Sequence, residues 1–188
     1  DVFLGHLGTG FELQEGAGGF AHFASGYVLL IGLLGRIYWA FVGNKHSRQM
    51  FTLPLFNRQW WREVMFELRW YLFLERDPKK YVGHNPLAQL AMFTMFLSTT
   101  LFMIVTGFAL YGEGAQEGSW AHAWFTSWVI PLFGSSQDVH TWHHLGMWAM
   151  LLFILLHVYA ALREDIMSRQ SLISTMISGW RLFKDDRP

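Results

Sequence analysis

The chain has 188 residues, of which 52% are apolar and only 15% charged. Soluble domains carry about 25% charged residues, so this composition points to a membrane protein. Formal net charge is zero and cysteine is absent. A nucleic-acid partner therefore has no electrostatic support, and disulfides, iron–sulfur ligation and thiolate haem ligation by this chain are excluded.

Residues 1–21 are rich in glycine and carry Glu12 and Glu15. They show no helical or strand period and are expected to form a loop. The chain opens on Asp1 and lacks a basic region followed by a cleavable apolar segment. Its start is expected to be processed or preceded by further sequence. A first membrane span is expected at about 22–42, opened by His22 and carrying a single charge, Arg36. Arg36 follows His22 by 14 residues and so faces a similar direction. It either snorkels to the interface or pairs with a carboxylate of a bound cofactor.

Residues 43–84 are the most charged stretch. Within 54–74, Arg58, Arg62 and Arg69 alternate with Trp60, Trp61, Phe66, Trp70 and Tyr71, a mixture that suits an amphipathic helix lying in the interface. Pro78 and Pro86 bound a turn-rich linker, in which His84 is expected to cap or turn. A second span at about 87–111 has no charge and no histidine and reads as scaffold. Ser98, Thr99, Thr100 and Thr106 are expected to bond within it, and Gly107 to allow close approach of a neighbour. Residues 112–138 are expected to form a loop holding a short interfacial helix over 120–133, interrupted by Pro131, with His122 at the surface.

The third span, about 139–162, holds His140, His143, His144 and His157 without one Asp, Glu, Lys or Arg. An ionisable residue inside a membrane helix marks a functional site. His143 and His157 are 14 residues apart, which is four turns less about 40°, so both face nearly one way, separated by about 21 Å along the axis. Two imidazoles that far apart cannot share a metal ion. Each can ligate its own large cofactor, and two stacked haems satisfy the geometry. His140 and His144 point elsewhere from the membrane boundary. Gly26 and Gly146 lie about a turn from His22 and His143 and either admit a flat macrocycle or serve helix packing.

All fourteen basic residues fall between Arg36 and Lys80 or between Arg163 and Arg187. With three spans, both regions lie on one side, cytoplasmic by the positive-inside rule. Residues 1–21 and 112–138 then face outward. His22 and His143 meet near the outer face, while His157 has no histidine partner at its depth within the chain. A further helix outside these 188 residues is expected to bring one. The tail, with Leu172, Ile173, Met176, Ile177 and Trp180, is expected on the membrane surface.

RIYWAFVGNKHSR (36–48), RWYLFL (69–74), GHNPLAQ (83–89), MIVTGFALY (103–111), DVHTWHHLGMW (138–148) and HVYAALREDIMS (157–168) together carry a close resemblance, over essentially the whole chain, to the membrane b-type cytochrome subunit of respiratory nickel–iron hydrogenases. Either half alone is also similar to cytochromes b of formate dehydrogenases and related oxidoreductases. The resemblance implies an all-α integral membrane bundle of four helices, three of them present here with added interfacial helices, as a single domain over 1–188. It implies two b haems, with His22, His143 and His157 as iron ligands and the fourth ligand on the first family helix, which this sequence lacks. It implies periplasmic partners, a hydrogenase large subunit and an iron–sulfur small subunit, on which hydrogen is split. It implies electron transfer to menaquinone or ubiquinone, in the bacterial cytoplasmic (inner) membrane. Tyr159, Arg163, Glu164 and Asp165, at the cytoplasmic end of the last span, are the expected quinone or proton-relay residues. A transporter would need ionisable residues along a midplane path, and a plain anchor would not need His143 and His157 on one face.

Overall fold

The structure, a computed structural model, describes residues 2–44, 46–81, 85–115, 118–167 and 173; of residues 2–17 it describes the backbone. Among the described residues the regular elements are all helices, with no strand. The helices are α1 (Val2–Val42), α2 (Arg58–Tyr71), α3 (Pro86–Ala91), α4 (Ser98–Gly114), α5 (Ser127–Phe133) and α6 (Ser136–Met167). A π-helical turn, Met92–Leu97, joins α3 to α4, and another, His122–Thr126, leads into α5. Among the described residues, three segments are long and apolar enough to cross a membrane: Gly18–Val42, Pro86–Gly114 and Ser136–Met167. These are the three spans expected from sequence, and the chain is a multi-pass membrane protein.

The expected loop over 1–21 is corrected: α1 continues back to Val2. Glycines cost about 1 kcal/mol each in a helix, but each residue added to an existing helix gains a hydrogen bond without new nucleation. Phe3, Leu7 and Phe11 recur at four-residue spacing, a helical period that the glycines obscure. At its other end α1 stops at Val42. The Arg48 side chain returns to donate from Nε to the Ala40 carbonyl at 2.9 Å and from Nη2 to the Phe41 carbonyl at 3.4 Å, satisfying acceptors left open at a helix C-terminus.

The 54–74 segment forms the amphipathic helix expected of it. Asn57 caps α2, its side chain accepting from the Gln59 and Trp60 amides. Trp60, Val64, Glu67 and Trp70 are buried along one face, the three-to-four-residue spacing of a single helical stripe. Asn85 caps α3 by accepting from the Ala88 amide at 2.6 Å, with Pro86 in the first turn where its missing N–H costs nothing.

The 120–133 helix is less peripheral than expected. It packs between α4 and α6, where Ala109, Val129 and Val139 are fully buried together. Thr126 Oγ1 donates to the Ala109 carbonyl at 2.8 Å, and a Cβ at Gly112 would overlap the Ala121 backbone and the Thr126 hydroxyl. Pro131 does not interrupt it: α5 runs on to Phe133 and ends at Gly134, whose φ of 100° suits glycine. His84 and the tail residues Leu172, Met176, Ile177 and Trp180 lie outside the described residues.

Candidate functional site

α1 meets the rest of the bundle through rings. Phe23 lies edge-on to Tyr111, Tyr27 edge-on to Phe108, and His22 edge-on to His143, with centroids 6.0 Å apart and planes at 71°. Between α1, α4 and α6 these side chains line an open apolar cleft of about 220 Å³. Met103, Ile104 and Leu29 complete its wall, and Gly26 and Gly107 lie along it. A Cβ at Gly26 would meet nothing within 4 Å, so one wall stays clear, while at Gly107 it would stand 3.4 Å from His143 Cε1.

The donor set suits a tetrapyrrole. Metal–imidazole bonds of about 2 Å on opposite sides of one ion put ring centres roughly 6 Å apart, close to the 6.0 Å between His22 and His143. Among the described residues no group of three or more His, Asp or Glu could hold a bare ion. Two imidazoles are what a macrocycle supplying four in-plane nitrogens leaves to the protein.

Thr106 sets the ring state of His143. Its hydroxyl has one hydrogen, which it donates to the Phe102 carbonyl at 2.7 Å. Its oxygen lies 2.7 Å from His143 Nδ1, so Nδ1 must be the protonated nitrogen and the donor. Nε2 is then left with its lone pair, the form that ligates metal. From sequence alone Thr106 is expected to bond within its own helix. It makes that bond and orients the histidine as well, so the second span is more than scaffold.

Other sequence-predicted residues are placed differently. Gly146 is buried against α4, where a Cβ would press on Met103 Sδ at 2.5 Å and the Phe102 ring at 3.2 Å; its observed contacts are helix packing. Arg36 is half-buried on α1 and is not among the described residues lining the cleft. His140 and His144 are exposed, with each Nδ1 near a carbonyl one turn back, Ser136 at 3.1 Å and His140 at 3.2 Å. His157 is exposed and stacks on Phe153, with centroids 5.5 Å apart.

At the opposite end of α6 the four expected residues separate. Tyr159 is exposed, and Asp165 Oδ1 accepts from the Ile173 amide at 3.1 Å. Arg163 and Glu164 are buried against α2. Arg163 Nη2 donates to the Trp70 carbonyl at 2.6 Å, and its guanidinium sits 4.7 Å from the ring centres of Trp70 and Tyr71 and 4.8 Å from Phe73. Phe73 reaches that position with φ of 60°, a conformation that costs a bulky residue about 1–2 kcal/mol. Glu164 Oε1 accepts from Trp70 Nε1 at 2.7 Å. Glu67, unremarked in the sequence, is buried in the same place. Burial, and then the nearby Glu164, push its carboxyl up to about 7, and the same two causes raise Tyr71 well above its ordinary value.

The prokaryotic cytochrome b561 family profile matches residues 2–179. The chain is 68% identical over 169 residues to the probable Ni/Fe-hydrogenase B-type cytochrome subunit of Azotobacter chroococcum mcd 1, covering 90% of this chain and 70% of that protein. Its counterpart in Cupriavidus necator is 63% identical over 166 residues, covering 88% of this chain and 68% of the relative. The corresponding hydrogenase 1 subunit of Escherichia coli K12 is 50% identical over 167 residues, covering 87% and 69%.

Proposed function

The chain belongs to the Ni/Fe-hydrogenase B-type cytochrome subunits of the prokaryotic cytochrome b561 family, and from that premise we propose that it anchors a periplasmic nickel–iron hydrogenase and passes electrons from H₂ to membrane quinone. The hydrogenase large and iron–sulfur small subunits split hydrogen, and this chain adds no acid, base or nucleophile to that step. His22 and His143 would hold one b haem near the outer face. His157 would hold a second nearer the cytoplasm. The basic stretch 43–84 and the C-terminus are cytoplasmic, and 112–138 is periplasmic. Haem, when bound, supplies a one-electron carrier.

The chain's own residues do the rest. His22 and His143 fix the position of the iron, and Thr106 holds His143 in its ligating form. Phe23, Tyr27, Met103, Ile104 and Phe108 line the site with apolar surface, which limits water and so tunes the potential. The observation carrying this reading is the 6.0 Å placement of the His22 and His143 rings beside an open apolar cleft. Reduced-minus-oxidised spectra of the purified complex test it. His22→Ala and His143→Ala should each lose one b haem and stop hydrogen-driven reduction of what remains. Full haem content in either variant removes the pair from the ligand set.

A further inference from the structure

The polar knot joining α2 to α6 has no part in holding either haem. Glu67 is 2% exposed and Glu164 is 8% exposed. Glu164 is well served, accepting from Trp70 Nε1 at 2.7 Å with Arg163 Nη1 at 3.6 Å. Glu67 is not. Its Oε2 accepts one long bond from Asn85 Nδ2, at 3.3 Å. Its Oε1 is buried without a hydrogen bond of proper geometry, although the Tyr81 hydroxyl faces the carboxyl. Among the described residues Arg163 is the one guanidinium inside the knot, and it is turned onto the Trp70 carbonyl and three aromatic rings. Arg163 balances one carboxylate, and the Lys79 ammonium offsets less at Glu67 than burial and Glu164 impose. A second ionised acid in that dry space, with one weak donor, is costly. A proton removes the charge and converts the carboxyl into a donor.

We propose that Glu67 and Glu164 form one proton-holding site shared by α2 and α6, which takes protons from the cytoplasmic water and yields them to the quinone reduced at this end. The second half rests on the quinone reading above; the first half stands without it. The groups facing Glu67 are Arg163 and Glu164 from α6, and Lys79, Tyr81 and Asn85 from the segment after α2; Tyr71, on α2 itself, faces Glu164 and senses Glu67. Tyr71 and Tyr81 are both held far above the ordinary phenol value by burial and these acids, so they act as neutral donors. The carboxyl of Glu67, lifted to about 7, exchanges its proton near neutral pH. Reducing one quinone to quinol takes two electrons, which come from H₂, and two protons. Each proton leaving the pair is replaced from water, so the site acts twice per quinol and is unchanged at the end.

Infrared difference spectroscopy of the complete hydrogenase–cytochrome complex, titrated across neutral pH, reads the site directly. One protonated-carboxyl C=O band should vanish with a midpoint near 7 and be missing in Glu67→Gln. In the same variant, hydrogen-to-quinone turnover at neutral pH should fall tenfold or more while hydrogen-driven haem reduction keeps its rate. Tyr81→Phe leaves both carboxyls in place. Because the Tyr81 hydroxyl lowers the Glu67 value, that variant should move the midpoint upward, and it serves where Glu67→Gln does not assemble. A wild type without the band, a band retained in Glu67→Gln, or a midpoint unmoved in Tyr81→Phe overturns the site. Normal turnover in Glu67→Gln overturns its use as a relay. A wild type that shows the band but reduces no quinone defeats the acceptor assigned above and leaves the proton-holding pair standing.

Discussion

The two ends of α6 solve opposite problems. At one end, His143 stands beside apolar space: His22 faces it, Thr106 orients it, and no Cβ at Gly26 crowds the opening. At the other, Arg163 and Glu164 are closed off by Trp70, Tyr71 and Phe73. An open apolar cleft with two lone-pair donors waits for a group that brings its own surface and charge. A sealed cluster of charges spends its interactions internally and holds an element in place, here the interfacial helix α2 on the last span. The second arrangement is strained by composition, since it encloses two acids with one arginine, and a proton is the small ligand that relieves it.

If that contrast is right, the sealed end is where a single truncation does most damage. Arg163→Ala leaves Glu164 buried without its cation, and breaking a buried pair in this way costs about 3–5 kcal/mol. Thermal unfolding of the detergent-solubilised complex should drop accordingly, with α2 released first, seen as faster proteolysis near Leu72–Leu74. A small change would mean that the aromatic packing, not the charge, holds α2.

pH separates the ends next. Folded Glu67 keeps its proton up to about 7, against an ordinary value of 4.5. Between those values the folded form binds more protons than the unfolded chain, so stability falls as pH rises through that window. Glu67→Gln should flatten this fall without altering haem content. An unchanged slope would assign it to other groups.

At the open end the expected effect is smaller and falls on the cofactor, not on the fold. Thr106→Val keeps the side-chain shape but gives His143 Nδ1 no acceptor. Loss of such an outer partner typically weakens metal binding 10- to 100-fold. Haem retention during dilution should decline by that order, with a shifted midpoint potential, while thermal unfolding of the haem-free chain stays unchanged.

The contrast also explains what could be read from residues alone. Charge distribution and length reveal the spans, because every basic residue but Arg36 lies outside the three segments expected at 22–42, 87–111 and 139–162. The face of α2 follows from Trp60, Val64 and Trp70 at helical spacing. His22 and His143 stand out because histidine is rare in a span. Thr106 and Glu67 do not stand out. A threonine in an apolar helix ordinarily bonds its own backbone, and a glutamate among arginines looks like a solvated face. Each matters through a partner 37 or 18 residues away, His143 or Asn85, and such pairings exist only after packing. The glycines over 5–19 mislead in the other direction, hiding a helix whose apolar period was present.

The finest test compares two asparagines with the same local duty. Asn57 caps α2 through the Gln59 and Trp60 amides, at 2.9 and 3.3 Å, and none of its bonds reaches a buried acid. Asn85 caps α3 through the Ala88 amide and also donates to Glu67. Replacing an N-cap asparagine with alanine typically costs about 1 kcal/mol. Asn57→Ala should cost that and nothing more, at any pH. Asn85→Ala should cost the same below the Glu67 transition, where the protonated carboxyl can turn its own hydrogen elsewhere. Above it, the loss should grow, because the ionised carboxyl then lacks its one amide donor. Chemical unfolding of both variants at acidic and alkaline pH measures the difference directly. Parallel losses at both pH values would show that the Asn85–Glu67 bond contributes nothing beyond the cap, and that the buried acid is stabilised from the Tyr81 and Arg163 side instead.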